Sequence, residues 1–171
     1  MLKLFIILVI RFLFVCPENG DAVNYEHRTL MKALEKLNGL TTLEELMVSQ
    51  DGHIHKSEKG KYFKTYKADG EIAYVYAGRV HTCRSGGCSA SGSVNKPGFE
   101  YFDYFILYGM DCCVKRVKIF NYRATKGQEI SAKSWLRQFH GYDGTDELNV
   151  GKQIDGISGA TISVYSITAD I

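Results

Sequence analysis

The chain has 171 residues, room for one domain with a sizeable core plus a short N-terminal extension. Twenty-one Lys and Arg face 19 Asp and Glu, which excludes a globally basic nucleic-acid binder or a strong overall pull toward an anionic membrane. Eleven Tyr, nine Phe and only two Pro exclude a largely disordered chain and favour strands, because aromatic side chains fit a half-buried pleated surface.

The N terminus differs in kind from the rest. Lys3 precedes an apolar run over residues 4–10 that resumes over residues 12–15 after Arg11. A basic start before a short apolar core reads as a secretory signal, too short for a membrane-crossing helix of about 20 apolar residues. Gly20-Asp21-Ala22 has the small-x-small form of a cleavage site. Cys16 offers lipidation as the alternative, although the bulky Val15 suits that poorly and Arg11 weakens both versions. Residues 1–22 are therefore read as a signal peptide or N-terminal membrane anchor, and residues 23–171 as a single domain. The expected location is exported, at the cell envelope or membrane-associated on the extracytoplasmic side.

Residues 25–37 place Leu30, Ala33, Leu34 and Leu37 on one helical face, and Asn38-Gly39 supplies the stop. Thr41 or Thr42 then caps a short helical turn over residues 43–47, with Glu44 and Glu45 in its first turn. Residues 49–60 are polar and read as loop, so His53 and His55 are taken as solvated rather than metal-binding. Two hairpins follow. The first joins residues 62–67 to 72–76 through Ala68-Asp69-Gly70-Glu71, and the second joins residues 101–108 to 114–122 through Gly109-Met110-Asp111. Apolar Val114, Val117 and Ile119 alternate imperfectly with Lys115, Arg116 and Lys118, which predicts a bulge or an edge at Arg116–Val117.

Between the hairpins, residues 86–98 form a long loop rich in Gly and Ser. Cys83 and Cys88 flank its start, and Cys112 and Cys113 are adjacent. In an oxidising compartment an even set of cysteines favours disulfides, and the spacing from Cys83 to Cys88 matches no zinc knuckle, with or without His81. Residues 131–139 read as a helix capped by Ser131, with Ala132, Trp135, Leu136 and Phe139 on one face. A turn-rich connection over residues 141–149 leads to a short terminal helix. The predicted class is α+β, a mainly antiparallel sheet built from two hairpins and flanked by helices.

The run Asp155-Gly-Ile-Ser158-Gly159-Ala160-Thr161-Ile-Ser163 reads as a tight turn opening that last helix, with Ser158 as its N-cap. Gly159 and Ala160 are small enough for another group to approach the backbone, and unsatisfied amides at a helix start favour negative charge. Local chemistry leaves two readings open: a phosphate-facing Thr161, or a plain capped helix start.

This segment resembles the signature of the FMN-binding domain family. That family includes the flavin-bearing C subunit of sodium-translocating NADH:quinone oxidoreductase and the G subunit of the Rnf electron-transport complex. The similarity is strongest over residues 101–171 and extends to Thr125-Lys126-Gly127, Phe139-His140-Gly141 and Gly151-Lys152-Gln153-Ile154-Asp155. Many members carry Glu-Thr-Pro-Gly where this chain has Ala124-Thr125-Lys126-Gly127. The resemblance implies an FMN-binding domain type of α+β fold, with FMN joined through its phosphate to the Thr161 hydroxyl. A separate magnesium-dependent flavin transferase makes that ester in the family, using FAD and releasing AMP. Asp155, Ser158, Gly159 and Ala160 fall on the segment it recognises, and Ser163 completes the motif. Thr125 and the Gly127 amide are then candidate donors to the flavin ring. Lys126 reads as near the ring or simply solvated, and Trp135 as stacked on the ring or packed in the core.

The expected function is electron transfer by an exported flavoprotein, with redox protein partners at the membrane and no nucleic acid. Covalent attachment suits an exported protein, because a dissociable flavin would be lost outside the cytoplasm. Two alternatives stand beside it: a flavin-dependent extracytoplasmic reductase, and a flavin-free interaction domain braced by Cys83 and Cys88. With a flavin present, those two cysteines also read as a redox-active pair. No nucleotide-binding glycine loop or hydrolase-like constellation is found in the sequence.

Overall fold

The computed structural model describes residues 22–39, 42–47, 49–50, 53–54, 59–66, 72–84 and 99–171. Residues 1–21 of the leader, His55, Thr41, the turn at Ala68-Asp69-Gly70-Glu71, Cys88 and the loop over residues 86–98 lie outside them, as does the expected pairing of Cys83 with Cys88.

Helix α1 spans Arg28–Asn38 and begins where His27 Nδ1 accepts the Thr29 amide at 3.2 Å. It buries Leu30, Ala33 and Leu34, the stripe expected from the sequence. The strands are β1 (Leu43–Leu46), β2 (Ser49–Gln50), β3 (His53–Ile54), β4 (Gly60–Thr65), β5 (Tyr74–Arg84), β6 (Phe99–Tyr108) and β7 (Val114–Tyr122). Five of them form one antiparallel sheet in the order β1-β4-β5-β6-β7, while β2 and β3 pair separately.

Residues 43–47 are not the helical turn that Thr42 and two glutamates suggested. They pair with β4 from Leu43↔Thr65 to Leu46↔Tyr62, and Lys61 Nζ meets Glu45 Oε2 at 2.7 Å across the pair. A single helical turn is too short to hold itself in water, so the ladder offered by β4 wins over local capping preference. Likewise β5 runs well beyond the predicted residues 72–76, because β6 pairs with it from Tyr74↔Tyr108 to His81↔Tyr101. Gly78 hid that continuation; a Cβ there would sit 2.7 Å from Tyr76 Cζ, so the ring needs the glycine. The second hairpin matches its prediction closely. Its irregularity falls at Lys115, between the pairs Leu107↔Arg116 and Tyr108↔Val114, with another at Phe120, and β7 is an edge strand.

The sheet is sandwiched. Leu30 and Leu34 of α1 pack with Phe63, Val75, Ala77, Phe105 and Leu107 on one face. On the other face Tyr76, Phe102, Tyr104, Val117 and Ile119 meet Ile130, Trp135, Phe139, Val164 and Ile167. The single helix expected over residues 131–139 is broken into a 3-10 turn at Gln128–Ser131, helix α2 at Lys133–Leu136 and a second 3-10 turn at Arg137–Phe139. Ile130 and Trp135 are both buried, yet five residues apart they would point to different sides of one straight helix. The extended Ala132 (φ −63°, ψ 127°) resets the phase, and Ser131 does not cap α2. Helix α3 spans Thr161–Asp170. Its Asp170 accepts hydrogen bonds from Tyr104 Oη at 2.6 Å and Tyr76 Oη at 3.4 Å, and pairs with Lys59 Nζ at 2.9 Å.

Asn38 closes α1 and is fully buried. Its Oδ1 accepts the Ile72 amide at 2.8 Å and its Nδ2 donates to the Ile72 carbonyl at 2.6 Å, imitating a neighbouring strand just before β5. Asn38→Ala leaves the Ile72 amide without that acceptor and is expected to cost about 2–3 kcal/mol, read as a lower urea midpoint at unchanged m-value. Burial also holds the phenols of Tyr104 and Tyr108 above their ordinary 10.0. The folded state keeps those protons while the unfolded chain ionises, so their stabilising contribution is complete below pH ~10 and is lost above it. Tyr108→Phe should therefore flatten the fall of the thermal midpoint between about pH 9.5 and 11; an unchanged slope would refute this.

Candidate functional site

The approach to α3 is a compact turn. The Asn149 carbonyl accepts the amides of Lys152, Gln153 and Ile154, and Gly151 N–H returns to the Ile154 carbonyl at 2.7 Å. Val150 and Ile154 form an isolated bridge, and Ile154 is buried at 1% exposure. Asp155 follows with an exposed side chain, but its backbone is held at both polar atoms. Its amide donates to Gln138 Oε1 at 2.7 Å, and its carbonyl accepts the Trp135 indole N–H at 2.8 Å. The chain then turns through exposed Ser158 and Gly159, where φ is +83° with open space around the missing Cβ.

The cap differs from the sequence expectation. Helix α3 starts at Thr161 with Ala160 at the N-cap position, and no side chain caps it. Ser158 lies too early and stays in the turn, because Ala160 N–H bonds the Ile157 carbonyl at 3.1 Å and completes the turn before the helix begins. Among the described residues the amides of Thr161, Ile162 and Ser163 find no acceptor, as the first amides of an uncapped helix must. No acidic side chain stands in that first turn to compensate them.

The two hydroxyls of the motif have opposite environments. Thr161 is exposed and makes no hydrogen bond among the described residues. Ser163 is buried at 4% exposure and donates to Tyr122 Oη, whose own proton goes to the Lys126 carbonyl at 2.6 Å. Burial pushes the Tyr122 phenol upward and the Ser163 bond partly offsets it. This relay ties β7, the turn at Thr125, Lys126 and Gly127, and the start of α3 together.

Gly127 is the contact point. Its φ is +83°, and a Cβ there would stand 3.0 Å from Ser163 Oγ, 3.1 Å from Tyr122 Oη and 3.3 Å from Ala160 Cβ. The turn at Thr125, Lys126 and Gly127 thus lies directly against Ala160 and Ser163. Thr125 is exposed and donates to Glu100 Oε1 at 2.7 Å, and Lys126 is exposed. Trp135 is 7% exposed, set edge-on to Phe139 at 5.5 Å between centroids, and spends its indole proton on Asp155. Of its two readings, the geometry carries packing in the core. Tyr122, Gln138 and Asp170 were not picked out from the sequence, since nothing local to them signals partners so far along the chain. Cys112, which takes φ +58°, and Cys113 are free thiols.

Three of the inferred site groups are therefore adjacent: the Thr161 hydroxyl with the free amides, the small Gly159-Ala160 pair, and the Gly127 turn. The donor set fits a phosphate, with a free hydroxyl, three unpaired N–H groups and no nearby capping carboxylate. No protein-family model, no curated protein and no solved structure matches the chain.

Gly127→Ala is expected to cost about 2–3 kcal/mol, from left-handed strain plus the crowding of Ser163, Tyr122 and Ala160. Gly144→Ala supplies the comparison, since its φ is +80° with nothing within 4 Å. It should cost only about 1 kcal/mol in the same chemical denaturation series. Equal losses would show that the contact at Gly127 is loose.

Proposed function

We propose that this protein is a flavoprotein of the FMN-binding domain type, carrying FMN through a phosphoester on Thr161 and passing electrons between extracytoplasmic redox partners. The observation that carries this reading is the contrast between the two hydroxyls of one motif, which lie two residues apart. Thr161 presents a free hydroxyl beside three unsatisfied amides, while Ser163 is buried and committed to Tyr122. A flavin transferase acting with FAD and magnesium would find Thr161 open to attack on the phosphate, with AMP as the leaving group.

When bound, the isoalloxazine supplies the redox chemistry. This chain's residues supply position and charge. The amides of Thr161, Ile162 and Ser163 would hold phosphate oxygens at the positive end of α3. Gly159 leaves room beside them, since it meets nothing within 4 Å. Gly127 and Ala160, in near contact, fix the turn bearing Thr125 against the helix start. The hold on the Asp155 backbone keeps the approach rigid without using the exposed carboxylate, which remains available for recognition by the transferase. Export supports the covalent bond as a means of retaining the cofactor, and it rests on the leader read in residues 1–22.

The test is co-expression of the full chain with a flavin transferase, followed by denaturation and intact-mass measurement. The expected outcome is yellow colour and the mass of FMN retained on the polypeptide, and their loss in Thr161→Val with Ser163 intact. Colour that washes away on denaturation, or that persists in Thr161→Val, would overturn the ester.

A further inference from the structure

The chain's near-neutral balance conceals a concentrated positive site away from the motif. A cavity of about 490 Å³ lies along the edge strand β7, walled by Lys36 at the end of α1, by Lys115, Arg116 and Lys118 of β7, and by Lys133, Arg137 and His140 from the segment around α2. Val117, Leu136 and Ser131 complete it, and among the described residues no Asp or Glu belongs to the lining. Lys115 is paired with Asp111 at 2.8 Å. Lys36, Arg116, Lys118, Lys133 and Arg137 form no ion pair among the described residues. Five uncompensated cations around one recess exceed the +2 of the whole chain, so the rest of the molecule is acidic on balance.

Mutual repulsion makes such a cluster costly unless something negative occupies it. The lining is rich in donors, since its ammonium and guanidinium groups can only donate, and an anion in the cavity would accept from them.

We propose that this cavity is a binding site for a compact polyanion carrying two or more phosphate groups. Arg116 and Arg137 offer planar forks that match phosphate oxygens, and the lysines add point charges around them. The volume falls in the range of small-molecule sites, and a recess with a donor in its wall suits a compact ligand better than a flat anionic bilayer. The site is independent of the flavin. Leu136 lines the cavity while the adjacent Trp135 grips Asp155, so α2 separates the recess from the attachment segment.

Inorganic tripolyphosphate is the probe, titrated calorimetrically into the full chain at low and at physiological salt. One saturable site is expected, weakening as salt rises. The double variant Lys133→Glu/Arg137→Glu, whose side chains are exposed and whose fold is checked by its thermal midpoint, should lose about tenfold or more in affinity. Thr161→Val should bind as the unaltered chain does. Unchanged binding in the charge-reversed variant would overturn the proposal, as would loss of binding in Thr161→Val, which would move the anion to the start of α3. Capture by phosphatidylserine vesicles without any binding of tripolyphosphate would also overturn it, in favour of a lipid surface.

Discussion

Two hydrogen bonds fasten the backbone of Asp155 to the segment around α2, one from the Trp135 indole to its carbonyl and one from its amide to Gln138. Because both polar atoms of that residue are taken, the chain entering α3 has a fixed direction. Everything downstream inherits that direction: the turn at Gly159, the phase of α3 and therefore which hydroxyl faces water. A helix rotates by about 100° per residue, so Thr161 and Ser163 point to different sides once the first turn is set. Had the helix entered two residues earlier, with Ser158 as its cap, one of its first amides would already be satisfied. The uncapped start is what leaves them available.

The sheet supplies the counterweight. Asp103 on β6 is 1% exposed and receives Arg79 at 2.7 and 3.0 Å from β5 and Asn121 at 2.7 Å from β7. A buried carboxylate needs this degree of satisfaction, because desolvation otherwise outweighs the pairing. The guanidinium also lies over the Tyr101 ring at 3.7 Å. Three neighbouring strands are thus cross-linked near the end of β7 that leads to Tyr122 and Gly127. That rigidity reaches α3 through the contact between Gly127 and residues 160–163.

How much of this was legible beforehand depended on how local each determinant was. The stripe in α1 and the hairpin of β6 and β7 announced themselves because their partners lie a few residues away. The alternation of Val114, Val117 and Ile119 even signalled an irregular edge strand. Residues 43–46 misled, since capping preferences at Thr42 are visible locally while the ladder to β4 is not. The extent of β5 was masked by Gly78, which reads as a break but serves the Tyr76 ring. In the site, the motif located Thr161, but no local signal separated the fates of its two hydroxyls. That required Tyr122, some forty residues earlier in the chain. The basic recess had a partial signature in Lys133, Arg137 and His140 at i, i+4 and i+7, obscured because the other wall comes from β7 and α1.

Asp170 also bears on the timing of folding. Its partners Tyr104, Tyr76 and Lys59 lie 66, 94 and 111 residues earlier in the chain. A ten-residue helix has little stability of its own in water, so α3 takes shape only on a sheet whose strands have already met. During synthesis the sheet must wait for β7, and the motif emerges later still. An exposed, correctly phased Thr161 is then a late product of folding rather than a property of the nascent peptide. Any enzyme that reads the ordered helix start, as opposed to the bare sequence, would modify only chains that have finished folding, and so act as a checkpoint on maturation.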